Sequence, residues 1–333
     1  MKARHPSVLV RTTRPARPLV SAIIPTYCRP YMVRQAVETV LAQDYSEIEV
    51  IVVDDNTDPQ EQQAVRAALA EFGDRVTVIP NGRSKGACGA RNTGVLHAKG
   101  KYIAFLDDDD LWMPGKIRAQ VSMLERTDFV ATFCGYIDVY LAFYHARRCR
   151  ASRPVLKREH ALAGECPTST SLVVIRRNVL IEAGLFDETL QSFQDFDMWL
   201  RCLEFGDLGY VDEALVTFIQ HAGDRTSINL SKRLAGLRSI ERKWGDEMRT
   251  YTNFSAFKRR IIVDALIANG KSMIGAGYFA SLLFFLRAVF VDRCSLRSAF
   301  WLTIGVLGSR RGSALYKRLL LVRKSIETVS VAT

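Results

Sequence analysis

The 333-residue sequence has no apolar run of the roughly 18–20 residues that a membrane-spanning helix needs. It has only five histidines and no C-x-x-C pair among its seven cysteines. An odd cysteine count without that spacing argues against a zinc ribbon and outlines no disulfide framework. Residues 1–18 are basic and contain no apolar core of a secretory signal. A flexible N-terminal tail and a reducing, cytoplasmic compartment are therefore expected. No G-x-G-x-x-G follows the first strand-like run, which weakens a dinucleotide-binding reading. Internal repeats and low-complexity tracts are absent too. The remaining balance, 48% hydrophobic and 24% charged with 10 Pro and 21 Gly, is globular and excludes a disordered or collagenous chain.

The formal net charge of +11 is unevenly spread. Residues 1–20 carry five basic and no acidic side chains, residues 21–224 carry 21 and 29, and residues 225–333 carry 20 and 6. Basic tails around an acidic centre do not suit a nucleic-acid reader, whose basic stripe belongs on the folded recognition face. They suit an enzyme whose C-terminal part meets an anionic surface such as lipid headgroups.

Short β-branched runs at 20–25, 49–53, 76–80 and 102–106 read as buried parallel strands. Helical stretches at 34–42, 59–72 and 89–98 separate them, so the first half is expected to be a doubly wound α/β sheet. Further on, 114–125 and 195–205 read as helices, and 129–140, 171–175 and 215–220 as strands. From about 225 the pattern is helical and basic. Two uncharged stretches there, 273–286 and 299–308, are too short to span a membrane. They fit either core-packed helices or an interfacial hairpin flanked by Arg293, Arg297, Arg310, Arg311, Lys317 and Arg318.

The chemistry concentrates where strands end. Asp107-Asp108-Asp109-Asp110 directly follows Phe105-Leu106, and four adjacent carboxylates repel one another unless a cation sits among them. The carboxyl ends of strands in an open α/β sheet are where ligands bind. A hard cation, Mg²⁺ or Mn²⁺, is held by a few carboxylates together with substrate phosphates. A second strand runs into Val53-Asp54-Asp55-Asn56, where a carboxylate can accept hydrogen bonds from a base or a ribose, although Asp-Asn is also an ordinary turn.

Val20-Ser21-Ala22-Ile23-Ile24-Pro25-Thr26-Tyr27, Val53-Asp54-Asp55-Asn56, Ala90-Arg91-Asn92-Thr93-Gly94 and Phe105-Leu106-Asp107-Asp108-Asp109-Asp110 together resemble the successive signatures of family 2 glycosyltransferases. Their order and spacing match over residues 19–224. The resemblance implies a GT-A fold with a nucleotide half (about 19–110) and an acceptor half (about 111–224). It also implies inverting transfer from a nucleotide-diphospho-sugar, with UDP the default base. It puts Pro25 and Tyr27 along the base pocket, Asp55 against the base, and Asp107 and Asp108 at the ribose or donor sugar. Asp109 becomes the ligand of the Mn²⁺ or Mg²⁺. Arg91 is expected to orient the acids or approach the donor, or to form a structural ion pair. Arg83 and Lys85 precede it in a Gly-bearing loop able to cover phosphates.

Gln194-Asp195-Phe196-Asp197-Met198-Trp199-Leu200-Arg201 resembles the family's acceptor-side motif, with Gln194 in place of its first acid. Asp195 aligns with the catalytic base. An Asp at a helix N-terminus has its charged form favoured by the dipole and can accept a proton from a hydroxyl, or it can simply cap the helix. Asp197 reads as structural. His221, in His221-Ala222-Gly223-Asp224-Arg225-Thr226-Ser227, resembles the family's H-x-G-x-x-S stretch and is a candidate metal or diphosphate ligand, or a structural residue. Cys88 lies beside no evident activating base.

These readings converge on a glycosyltransferase of cell-surface polysaccharide biosynthesis, such as exopolysaccharide or lipopolysaccharide. It would act on a glycan or lipid-linked acceptor and lie peripherally at the inner face of the plasma membrane. Residues 225–333 would be the basic helical extension that holds it there. Two alternatives stay open at this level. A sugar nucleotidyltransferase would need a Gly-rich basic loop after the first strand, where Pro25-Thr26-Tyr27-Cys28-Arg29-Pro30 stands instead. A non-catalytic scaffold would show degenerate site residues, of which Gln194 is one.

Overall fold

The computed structural model describes residues 17–140, 145–220, 229–272, 278–292 and 296–306. The apolar runs form parallel strands β1 (Val20–Thr26), β2 (Ile48–Asp54), β3 (Val76–Pro80) and β4 (Tyr102–Phe105). All seven residues of β1 and all four of β4 are buried, as strands covered on both faces require. Val20 pairs with Ile48 on one side and Tyr102 on the other, and the register runs to Thr26↔Asp54. The carboxyl ends of β1, β2 and β4 thus open on one edge of the sheet.

Beyond β4 the sheet becomes mixed, through β5 (Asp110–Trp112), β6 (Ala131–Tyr140), β7 (His145–Cys149), β8 (Val155–Leu156), β9 (Val173–Arg176) and β10 (Leu208–Gln220). The spatial order is β3-β2-β1-β4-β9-β6-β10-β5, with β7 on β6 and β8 on β10. Strand β9 runs antiparallel to both β4 and β6, while β10 runs parallel to β6 and bulges between Val211 and Val216. This is the expected α/β sheet, doubly wound and mixed.

Helices α1 (Pro30–Leu41), α2 (Pro59–Leu69), α3 (Ala87–His97) and α4 (Lys116–Arg126) pack on the sheet. Pro30 starts α1 at a position where its missing N–H costs nothing, and Val33, Ala36, Val37 and Val40 form the buried face. Helix α2 is capped by Asp58, which accepts from the Gln60 N–H. It stops at Leu69, three residues before its expected end, because the chain tightens and turns through Gly73 at φ +54° into β3. Helix α3 lies close on β1: a Cβ at Gly94 would stand 2.4 Å from Ile23 Cγ2. The strand expected from 171 starts at Val173, since the Ser169 side chain accepts from the Ser171 N–H and winds 170–172 into a tight turn.

Shorter α5 (Arg158–Leu162) and α6 (Arg177–Glu182) precede α7 (Gln194–Cys202), which buries Phe196, Met198, Trp199, Leu200 and Cys202. Four helices close the described chain: α8 (Leu230–Tyr251), α9 (Phe254–Ser272), α10 (Tyr278–Val291) and α11 (Leu296–Val306). Leu237, Ile240 and Met248 of α8 and Phe254 and Phe257 of α9 belong to the main core. Val263, Leu266, Ile267, Phe285, Ala288 and Trp301 make a second, smaller core among α9, α10 and α11. Among the described residues, no helix is long and apolar enough to cross a membrane. Residues 1–16, His221, Arg293, Arg310, Arg311, Lys317 and Arg318 lie outside the described residues, as does the side chain of Arg297.

Candidate active site

The acidic run begins where β4 stops. Asp107 receives a hydrogen bond from the Arg91 guanidinium at 2.5 Å and a longer one from Thr170 Oγ1 at 3.4 Å. Its backbone N–H donates to Ser171 Oγ at 3.0 Å. Asp108 turns inward, accepting from Thr26 Oγ1 at 2.8 Å and from Arg29 at 3.0 Å. Burial pushes its carboxyl up to about 6, with Asp109 adding and Arg29 and Thr26 opposing. Asp109 faces the same Arg29 guanidinium at 3.3 Å. Asp110 is buried and accepts from Ser171 Oγ at 2.6 Å.

The end of β2 supplies Asp55, whose carboxylate accepts from Asn81 Nδ2 at 2.6 Å and from the Gly86 N–H at 2.8 Å. Its own N–H donates to the Thr26 carbonyl, so the ends of β1 and β2 are tied together. Pro25 is buried in β1 opposite Val53, while Tyr27 is 49% exposed with the Lys85 ammonium 4.7 Å from its ring centre. Tyr27 therefore stands exposed at this edge, and Pro25 lies buried two residues before it in β1. Lys85 rests on Tyr27, and Arg83 is paired with Glu188 rather than open to a phosphate. Burial alone would raise Glu188, but hydrogen bonds from Arg83, Asn92 and Ser84 outweigh it and bring the carboxyl down to about 2.

At the start of α7, Phe193 takes φ +64° and Asp195 lies in the first turn. The Phe196 N–H donates to Asp195 Oδ1 at 2.8 Å. The helix start was expected to favour the ionised form of Asp195, and the Phe196 N–H does so, but burial works against it. Burial raises its proton affinity, and Asp107 adds to this, against the Phe196 N–H, Arg91 and Arg233. Gln194 turns away and donates to the Leu190 carbonyl at 2.9 Å. Asp197 is fully buried among Arg201, Lys243 and the Trp244 indole, as a structural residue should be. Cys88 is buried, which pushes its thiol up to about 12 and leaves it unreactive.

Arg91 joins the two sides. It is buried in α3, bonds Asp107, has Phe186 5.7 Å from its guanidinium, and lies in the field of Asp195. Its Nε has no hydrogen-bond partner among the described residues. Asp107 and Asp195 therefore share one buried guanidinium.

A family description, "Glycosyl transferase family 2", matches residues 21–185. The putative colanic acid biosynthesis glycosyl transferase WcaA of Escherichia coli is 31% identical over 242 residues, covering 69% of this chain and 82% of that protein. The chain belongs to glycosyl transferase family 2. A second relative in the family is the Escherichia coli UDP-Glc:alpha-D-GlcNAc-diphosphoundecaprenol beta-1,3-glucosyltransferase WfgD. It is 26% identical over 227 residues, covering 68% of this chain and 84% of WfgD. Among solved structures, the mannosyltransferase PcManGT from Pyrobaculum calidifontis, in complex with GDP-Man and Mn²⁺, superposes with a TM-score of 0.56. It is 18% identical and covers 91% of this chain and 88% of its own. The fold of this family 2 glycosyltransferase is thus the GT-A fold, and its curated relatives include proteins of polysaccharide biosynthesis.

Sequence reasoning missed three site residues. Arg29 lies three residues after β1, in the loop to α1, and a strand-end rule extended to that loop would have included it. Glu188 and Arg233 carry no local signal. Arg233 arrives from α8, its guanidinium 4.4 Å over the Phe193 ring.

Proposed function

We infer that this glycosyltransferase moves a sugar, with inversion, from a nucleotide-diphospho-sugar to a hydroxyl of a glycan or lipid-linked acceptor in cell-surface polysaccharide assembly. The observation that carries this reading is Arg91, set between Asp107 at the end of β4 and Asp195 at the start of α7. Pro25, Tyr27 and Asp55 receive the base, and Asp107 and Asp108 bound the ribose and donor sugar. UDP is the first candidate base, because WfgD is named for UDP-Glc, and GDP the second, because PcManGT holds GDP-Man.

Asp109, with Asp107 beside it, would hold a divalent ion, Mn²⁺ or Mg²⁺. Carboxylate oxygens are the donors such hard ions take, and Asp109 presents one of its oxygens to a cationic partner, Arg29, at 3.3 Å. His221 is a further candidate ligand. When bound, the metal neutralises charge on the leaving diphosphate. Among the described residues no three acidic, histidine or cysteine side chains gather as a metal cage, so phosphate and water oxygens would have to complete the coordination.

Asp195 takes the proton of the attacking hydroxyl. Its raised proton affinity suits a base that must accept a proton in the transition state. With a single base and attack from the face opposite the diphosphate, the anomeric configuration inverts, by the geometric logic of inverting glycosidases. Leu283, Leu286 and Phe290 follow one another on one face of α10 and are exposed, Phe290 by 80%. With the basic C-terminal region, that face would rest on an anionic membrane where a lipid-linked acceptor lies.

Calorimetric titration with UDP, GDP, TDP and CMP in the presence of Mn²⁺, on wild type and Asp109→Ala, tests the reading. Metal-dependent binding of one nucleotide, lost in the variant, supports it. A folded protein that binds none of the four refutes it.

A further inference from the structure

The β1–α1 loop fixes Arg29 with unusual care. Cys28 sits at φ +53°, a left-handed conformation a side chain keeps only where its surroundings hold it. Asn56 Oδ1 supplies that hold, accepting from the Cys28 N–H at 3.1 Å. Arg29 then closes the first turn of α1 through its carbonyl, which accepts from the Val33 N–H. From this anchored base the guanidinium crosses the open edge of the sheet and reaches Asp108 at 3.0 Å and Asp109 at 3.3 Å, its side chain 28% exposed.

A permanent positive charge therefore rests against the carboxylate assigned to the metal. A bare divalent cation approaching Asp109 meets that charge at close range, in a half-buried place where water screens it poorly. It must also compete for the carboxylate oxygens that the guanidinium already binds. A metal that arrives with a diphosphate brings two or more negative charges with it. Its complex is neutral or anionic, and its phosphate oxygens offer the guanidinium a partner of the kind it binds best. The same residue that opposes the free ion thus favours the chelate.

We propose that Arg29 is a selectivity residue of the donor site: it excludes the bare metal and admits it only together with a diphosphate. This rests on the donor-site reading above and adds to it an obligatory pairing of metal and nucleotide.

The test is Mn²⁺ binding followed by electron paramagnetic resonance on the full chain, without nucleotide and with UDP or GDP in parallel. Wild type, Arg29→Gln and Arg29→Lys are compared, with circular dichroism as the check on folding. In wild type the nucleotide tightens Mn²⁺ binding by at least about ten-fold. Arg29→Gln removes most of that gap by binding Mn²⁺ alone about ten-fold more tightly, whereas Arg29→Lys, which keeps the charge, keeps the gap. Arg29→Gln binding free Mn²⁺ as weakly as wild type, while both still take it up with nucleotide, overturns the proposal. Wild type binding free Mn²⁺ as tightly as with nucleotide overturns it without any variant. Wild type binding Mn²⁺ under neither condition and no nucleotide either overturns the donor-site reading itself.

Discussion

Glu188 lies seven residues before Asp195 in the chain and clamps the loop between β3 and α3. Its carboxylate takes hydrogen bonds from Arg83, from Asn92 Nδ2 at 2.8 Å and from the Ser84 N–H at 3.2 Å. The carboxyl is held at about 2, against an ordinary value of 4.5. At about 1.4 kcal/mol per pH unit, this difference is worth about 3 kcal/mol. Arg83 is 42% exposed and Glu188 only 15%, so solvent screening trims the Arg83 share and leaves about 2–3 kcal/mol. Because the folded value is depressed, the contribution is fully present above the unfolded value near 4.5 and disappears as pH falls toward 2. Glu188→Gln is therefore expected to lose about 2–3 kcal/mol at pH 7, and about half as much at pH 3. Urea unfolding of both proteins across pH 3–7 measures this. A cost that stays constant over that range, or one below about 0.5 kcal/mol at pH 7, refutes the ion-pair account. The same loop carries Gly86, whose N–H reaches Asp55, so donor KM should rise in the variant while kcat changes less.

Asp195→Asn should cut kcat by about 10²–10⁴ while leaving nucleotide affinity unchanged in calorimetry. Since burial raises the Asp195 carboxyl, wild-type kcat/KM should fall on the acid side at a pH above the ordinary 3.8. A profile without that limb speaks against Asp195 as the base. Gly94→Ala places a Cβ 2.4 Å from Ile23 Cγ2 and should cost about 1–3 kcal/mol, read as a lowered Tm. Lys116 is fully buried, its Nζ 4.3 Å from the Trp112 ring centre and without a hydrogen-bond partner among the described residues. Burial lowers it to about 8, so its burden on stability is full below pH 8 and fades as pH rises toward 10.5. Lys116→Met should accordingly stabilise by about 1–2 kcal/mol at pH 7 and gain less at pH 9.5, by chemical denaturation. Phe290→Glu should reduce sedimentation with vesicles rich in phosphatidylglycerol and leave transfer to a soluble acceptor intact; unchanged sedimentation removes α10 from the membrane contact.

The parallel half of the sheet was legible because β1, β2 and β4 are covered on both faces and so read as unbroken apolar runs. Strand β5, three residues long, and the two-residue β8 are too short to leave a pattern. Helix α2 ended early because Gly73 takes a left-handed turn, which composition alone does not time. In the candidate site, the placement of Asp55, Asp107, Asp109 and Asp195 was legible because each sits where a strand or helix changes into loop. The long-range pairs around them were not: Arg29 and Asp109 are 80 residues apart, and Arg83 and Glu188 are 105 apart. Arg83 shows the limit most plainly. Its loop position suggested a phosphate ligand, and only the folded chain reveals that Glu188 already holds it.

Helix α8 lies so close to the segment before Asp195 that a methyl group at Gly236 would stand 2.8 Å from Ser192 Cβ. The C-terminal helices are therefore no detachable anchor. A chain cut after β10 would expose Phe193 and loosen the turn that precedes Asp195, and a C-terminal region grafted from a relative would have to reproduce that contact. The packing of the C-terminal helices and the placement of Asp195 are tied together at this one glycine.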